Sequence, residues 1–163
     1  MKTGDYCGQI IAISLSLVMA AAWPVASVGS EAIICFGLET DPGWSTQGEW
    51  GFGVPLGGGS YCYDPTSGYT GNNVYGYNLA GDYTNSMSAY TLTSTAIDCS
   101  GYENVTLSFW RWLGVESSTW DHAKVEVSSN GSSWSPVWDH TGGSFCDGTW
   151  IYCAYDISAV ADN

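Results

Sequence analysis

Positive charge is almost missing from this chain. Its 163 residues hold 3 Lys plus Arg against 16 Asp plus Glu, a net charge of 3 − 16 = −13. A surface this acidic is repelled by phosphate backbones and anionic lipid, which argues against nucleic acid as a partner. Histidine is scarce, with 2 residues, and no cysteine pair has C-x-x-C spacing, so the ligand sets of zinc sites are lacking. The chain has neither a His-Glu-x-x-His helix motif nor a Gly-x-Ser-x-Gly elbow. Charged residues make up only 12%, and no helical periodicity of useful length follows the N-terminal segment. What the chain does have is 21 Gly, 9 Trp and 11 Tyr. Many aromatics and glycines with few Lys or Glu fit short strands joined by tight turns.

Residues 1–28 read as a secretion signal. Lys2 supplies a thin positive start, residues 10–22 (IIAISLSLVMAAA) an apolar stretch, and Ala26, Ser27, Gly29 and Ser30 small-residue cleavage points after Pro24. The apolar run is short for a membrane span, so no membrane insertion is expected after cleavage. Residues 29–163 are then one extracellular domain. Cys7 leaves with the signal, and Cys35, Cys62, Cys99, Cys146 and Cys153 remain in an oxidising compartment. Cys146 and Cys153 flank the turn signal Asp147-Gly148 and are the expected disulfide; the alternative is that these thiols are small buried apolar groups.

Strand signals recur along the domain. Residues 32–36 form a short apolar run, and residues 48–54 an aromatic, glycine-punctuated one. Residues 88–93 and 95–98 are candidate strands. Val105, Leu107 and Phe109 alternate with Thr106, Ser108 and Trp110, and Val125 and Val127 with Lys124 and Glu126. Asn130-Gly131 predicts a type I′ hairpin turn into a returning strand at residues 134–138. Ile151, Cys153, Tyr155 and Ile157 share one face of a last strand. Seven to nine strands at this spacing predict a two-sheet antiparallel sandwich.

Residues 55–82, rich in Gly, Asn, Asp, Tyr and Pro, read as a long excursion over one face. Rigid tyrosines beside adaptable polar groups have the make-up of a recognition surface. Tyr69, Tyr75, Tyr77, Asn78, Asp82 and Tyr83 are the candidate ligand contacts; the bland reading has these tyrosines covering the sandwich and packing on Trp110 and Trp112. Arg111 is expected to stack on indole or pair with Glu116. His122 and His140 read as structural. Glu116 and Asp121 could supply a carboxylate pair for glycoside hydrolysis, but nothing in the sequence aims them at a cleft.

Several motifs occur in a telling order. Cys35-Phe36 with Glu39, Asp41, Gly43 and Trp44 comes first. Residues 90–94 (YTLTS) with Ile97-Asp98 follow, then LSFWRWLGVES (residues 107–117), the Asp121 strand and S-x-N-G-x-x-W. In this order they resemble the MAM-like jelly-roll domains of secreted proteins, closest to the accessory domains of immune-inhibitor-A-type metallopeptidases. The resemblance spans roughly residues 34–162. It implies a concanavalin A-like jelly roll, all-β, without catalytic activity of its own. It also implies one structural calcium ion, with Glu39, Asp41 and Asp156 as ligands where the chain ends meet and Glu116 and Asp121 as a second cluster. The expected function is that of a secreted module for binding or adhesion, its partner a glycan or a surface protein. A carbohydrate-binding module is the first alternative, and the N-terminal part of a larger secreted hydrolase the second. MAM-like domains continue past the segment at residues 155–158 into another core strand, so the resemblance implies either a chain truncated at its C-terminus or a sheet that lacks a strand and presents an open edge.

Overall fold

The computed structural model describes the backbone of Lys2–Asp5, Ile11–Ser14, Leu17–Ala20 and residues 30–162, with side chains from residue 32. The fold is nearly all β. Its strands are Lys2–Asp5 (β1), Ile11–Ser14 (β2), Leu17–Ala20 (β3), Ser30–Ala32 (β4), Ser45–Thr46 (β5), Trp50–Gly53 (β6), Val74–Tyr77 (β7), Thr91–Thr93 (β8), Tyr102–Val115 (β9), Lys124–Val127 (β10), Ser135–Asp139 (β11), Phe145–Cys146 (β12) and Ile151–Asp156 (β13). A single short helix, Ser158–Ala161 (α1), follows.

One sheet runs β4-β1-β9-β3-β7-β6, with β12 and β13 also on β9; the other runs β11-β10-β2-β8-β5. Pairing is antiparallel except where β1 meets β4 and β9. The leader assigned to residues 1–28 falls partly outside the described residues, as do Cys7 and the cleavage points before Ser30. Within it, the backbones of β2 and β3 are paired between β8 and β10 and between β7 and β9.

Strand β9 organises the molecule. Val105, Leu107, Phe109, Leu113 and Val115 are buried on one side, while Trp110 and Trp112 point the other way. The buried side joins one cluster with Leu92 of β8, Val125 and Val127 of β10 and Tyr75 and Tyr77 of β7, so both sheets share one core. Fully burying a side chain of this size contributes about 1.5–3 kcal/mol.

Four expectations need correction. The excursion over residues 55–82 contains a buried strand, β7, in which Tyr75 and Tyr77 are core residues. Its flanking polar residues mask a four-residue apolar-aromatic run that no alternation marks. Residues 95–98 form no strand. The Asn130-Gly131 turn is not a two-residue type I′ turn: Gly131 has φ 70°, Asn130 stays at negative φ, and β10 and β11 are separated by residues 128–134. Ser128 Oγ accepts from the Asn130 and Gly131 N–H groups, and Asn130 Oδ1 from those of Ser132 and Ser133. These local side-chain bonds hold a wider loop in place of the tight turn. Finally, a disulfide joins Cys62 to Cys146, and Cys153 is a buried free thiol. Cys146 pairs with Gly114 and Cys153 with Phe109 along β9. Five strand positions separate the two cysteines, about 17 Å at the usual rise, far beyond disulfide reach.

Candidate functional site

Trp110 and Trp112, two positions apart on the outward face of β9, are half-buried there. Tyr152 stands opposite Trp110 on β13, with ring centroids 5.4 Å apart. Tyr69 stacks on the other side of Trp110 at 3.5 Å and 12°. Trp150 meets Trp112 edge-on at 5.7 Å, and the Trp112 Nε1–H donates to the Tyr63 carbonyl at 3.0 Å. The result is a ladder of five rings on the outer sheet face, with Tyr69 and Tyr152 each about two-fifths exposed (44% and 41%). Aromatic pairs of this kind add about 0.5–1.5 kcal/mol each beyond area burial, so the ladder is rigid before any ligand arrives.

At the Trp112 end the ladder opens into a cavity of about 350 Å³. Tyr61, Tyr77, Tyr83 and Trp112 supply aromatic walls, and Asp64, Asp82 and Glu116 supply carboxyl-bearing residues. The wall is shaped by the disulfide: Cys62 lines the cavity and crosses β9 at Gly114, where any Cβ would lie 2.7 Å from the Cys62 Cβ. Only glycine admits that crossing. A second close approach brings Gly58 to residues 80–81, where a Cβ would sit 2.0 Å from the Ala80 carbonyl oxygen. It sets the residue 58–64 segment beside Asp82.

Asp82 is firmly held. Its carboxylate accepts the Ser60 N–H at 3.0 Å and the Ser60 hydroxyl. These bonds, the hydroxyl's first, keep its carboxyl below the ordinary range. Asp64 is pushed the opposite way, first by burial and then by repulsion from Asp82, against a partly compensating Gly59 N–H. Tyr83 donates its hydroxyl to Asp121 and accepts the Glu116 N–H at 3.3 Å, tying the β9–β10 loop to the cavity rim. Burial and the Asp121 bond both raise the Tyr83 phenol. The His140 Nε2–H, just past β11, donates to the Glu116 carbonyl at 3.0 Å, which makes the buried imidazole a structural donor to the β9–β10 loop.

Of the residues singled out in the sequence, Tyr77, Asp82 and Tyr83 come together at the cavity, and Glu116 joins them. Asn78, at φ 49°, shapes the loop beneath by donating to the Asp82 carbonyl and accepting from the Ala80 N–H. Tyr69 lies on the ladder, and Tyr75 is core, donating to Asp41 and accepting the Trp44 N–H. Burial and that Asp41 bond push the Tyr75 phenol up to about 12.

The expected calcium ligands are dispersed. Asp41 is engaged by Tyr75 and the Gly43 N–H, Asp156 by the Ser158 N–H and hydroxyl, and Asp121 by Tyr83. Glu39 lies beside Gly71, its carbonyl accepting from Asn73. Among the described residues no three His, Cys, Asp or Glu side chains gather as a metal site. Arg111 pairs with Asp147 rather than Glu116, with Nε–Oδ2 2.9 Å, and lies over Trp138 at 4.7 Å. Because Arg111 faces the core side of β9, Glu116 on the rim is out of its reach.

Asp64 and Trp112 were not marked as ligand contacts, whereas Tyr61 belongs to the tyrosine-rich excursion. The run Tyr61-Cys62-Tyr63-Asp64, with a cysteine that staples it to a strand, is the signal that could have found Asp64. Compared with family models, curated proteins and solved structures, the chain matches none.

Proposed function

We propose that this chain is an extracellular, non-catalytic jelly-roll sandwich of MAM-like type that binds a glycan. The observation that carries this reading is the aromatic ladder continuing into the cavity at Trp112. Flat aromatic faces stack on the apolar faces of sugar rings, and carboxylates with tyrosine hydroxyls take sugar hydroxyls as hydrogen-bond partners. A cavity of about 350 Å³ falls at the small end of ligand pockets, suited to one terminal sugar unit with further units lying along the ladder. The excess of negative charge disfavours uronic or sulfated polymers. Secretion fits a fold fastened by Cys62–Cys146.

A glycan array followed by titration calorimetry tests the reading. Trp110→Ala and Tyr152→Ala should each weaken binding by about 5- to 100-fold, equivalent to about 1–3 kcal/mol, in variants whose far-UV circular dichroism shows them still folded. Absence of binding to any glycan, with a protein partner recovered instead, would replace the glycan by a surface protein.

A further inference from the structure

Resting on the glycan reading, we infer that the cavity selects a sugar bearing a free amine, so that the ligand class is a glucosamine-type, deacetylated polymer. Asp64, Asp82 and Glu116 line the cavity, and no described Lys or Arg side chain lines it with them. Of the chain's three basic residues, Arg111 is committed to Asp147 inside the core and Lys124 to Asp139 at 3.1 Å. The third, Lys2, has its backbone in register with Tyr102, ten residues along β9 from Trp112 (102 to 112). That is about 33 Å, beyond any lysine's reach. Among the described residues Asp82 accepts from neutral Ser60, and Asp64 and Asp82 repel one another.

Tyr61, Tyr77, Tyr83 and Trp112 surround the same space with electron-rich ring faces. An ammonium group within about 6 Å of such faces is attracted by the ring quadrupole, and a carboxylate beside it adds a charge-assisted hydrogen bond. A neutral acetamido or hydroxyl group can donate to the carboxylate, but it gains neither the ion pair nor the attraction of a positive charge by the ring faces. Carboxylates left unanswered by the protein, inside a concave aromatic wall, are therefore best matched by an organic cation. The adjoining ladder makes that cation part of a sugar chain.

The test is calorimetry with glucosamine oligomers, N-acetylglucosamine oligomers and neutral glucose oligomers of matched length, at one pH where the amine is protonated. Amine-bearing oligomers should bind at least about tenfold tighter than the other two, in line with one charge-assisted contact. Asp64→Asn should remove most of that preference. Should Asp64→Asn fail to fold, Glu116→Gln on the exposed rim serves in its place, with a several-fold loss of preference expected. Equal or tighter binding of the neutral oligomers, or a preference that survives these substitutions, overturns the amine selection and leaves the glycan reading standing. Binding of none of the three overturns the amine selection, and the glycan array then decides the glycan reading by itself.

Discussion

Asp64 carries a carboxylate in surroundings that disfavour its charge, through burial first and Asp82 second. Its folded-state pKa lies above the unfolded value, so ionised Asp64 costs stability at neutral pH and the cost disappears as pH falls. Asp64→Asn should raise the melting temperature of the free protein at neutral pH while weakening ligand binding; a lowered melting temperature would contradict this. Asp147 instead carries a buried ion pair. It takes Arg111 Nε and a second guanidinium nitrogen at 2.9 and 3.1 Å and the Leu113 N–H at 2.8 Å. Asp147→Asn strands a buried guanidinium and should cost about 3–5 kcal/mol in urea unfolding. The Lys124–Asp139 pair, with both side chains more than a third exposed (37% and 39%), should cost no more than about 1 kcal/mol when Asp139→Asn breaks it. Similar losses for the two substitutions would contradict the burial argument.

At the scale of elements, β9 and β10 were legible because a buried face enforces their alternation, β13 because apolar residues recur at every second position, and β11 because it follows the Asn130-Gly131 signal. Strand β7 was not, since Val74-Tyr75-Gly76-Tyr77 is buried on both sides and sits among turn-forming residues. The ladder was half legible. Trp110 and Trp112 announce one outward face, but their partners Tyr69, Tyr152 and Trp150 come from segments that only the fold aligns. The cavity was least legible, because its wall depends on a disulfide spanning 84 residues. Sequence proximity favoured Cys146–Cys153, yet both cysteines pair onto β9 at separate positions. Closing so long a loop removes chain entropy worth about 4.5 kcal/mol in the loop-closure description. The double substitution Cys62→Ser with Cys146→Ser should therefore lower stability by about 2–5 kcal/mol and weaken ligand binding, because Cys62 lines the cavity. Unchanged affinity in the folded double variant would detach the disulfide from the site.

Across the whole molecule, acidity governs both solubility and stability. Asp41, Asp82, Asp98 and Asp156 have carboxyls held below the ordinary range, in each case first by a side-chain hydroxyl donor. A depressed folded-state pKa contributes stability that is present above the unfolded pKa of about 4 and is lost as pH falls through the folded one. Among the described carboxyls Asp64 alone is shifted the other way. Urea midpoints should therefore fall between about pH 6 and pH 3, and a rise would contradict the hydrogen-bonded carboxylates. The core, the two sheets and the outward ring face form one arrangement in which β9 presents apolar groups inward and tryptophans outward. Indole N–H resonances report on that outward face directly. Titrating the protein with the glucosamine oligomer should shift the Trp110, Trp112 and Trp150 signals and leave those of the core-packed Trp50 and Trp138 in place. Shifts confined to Trp120, exposed on the β9–β10 loop, or no shifts at all would contradict glycan binding along β9.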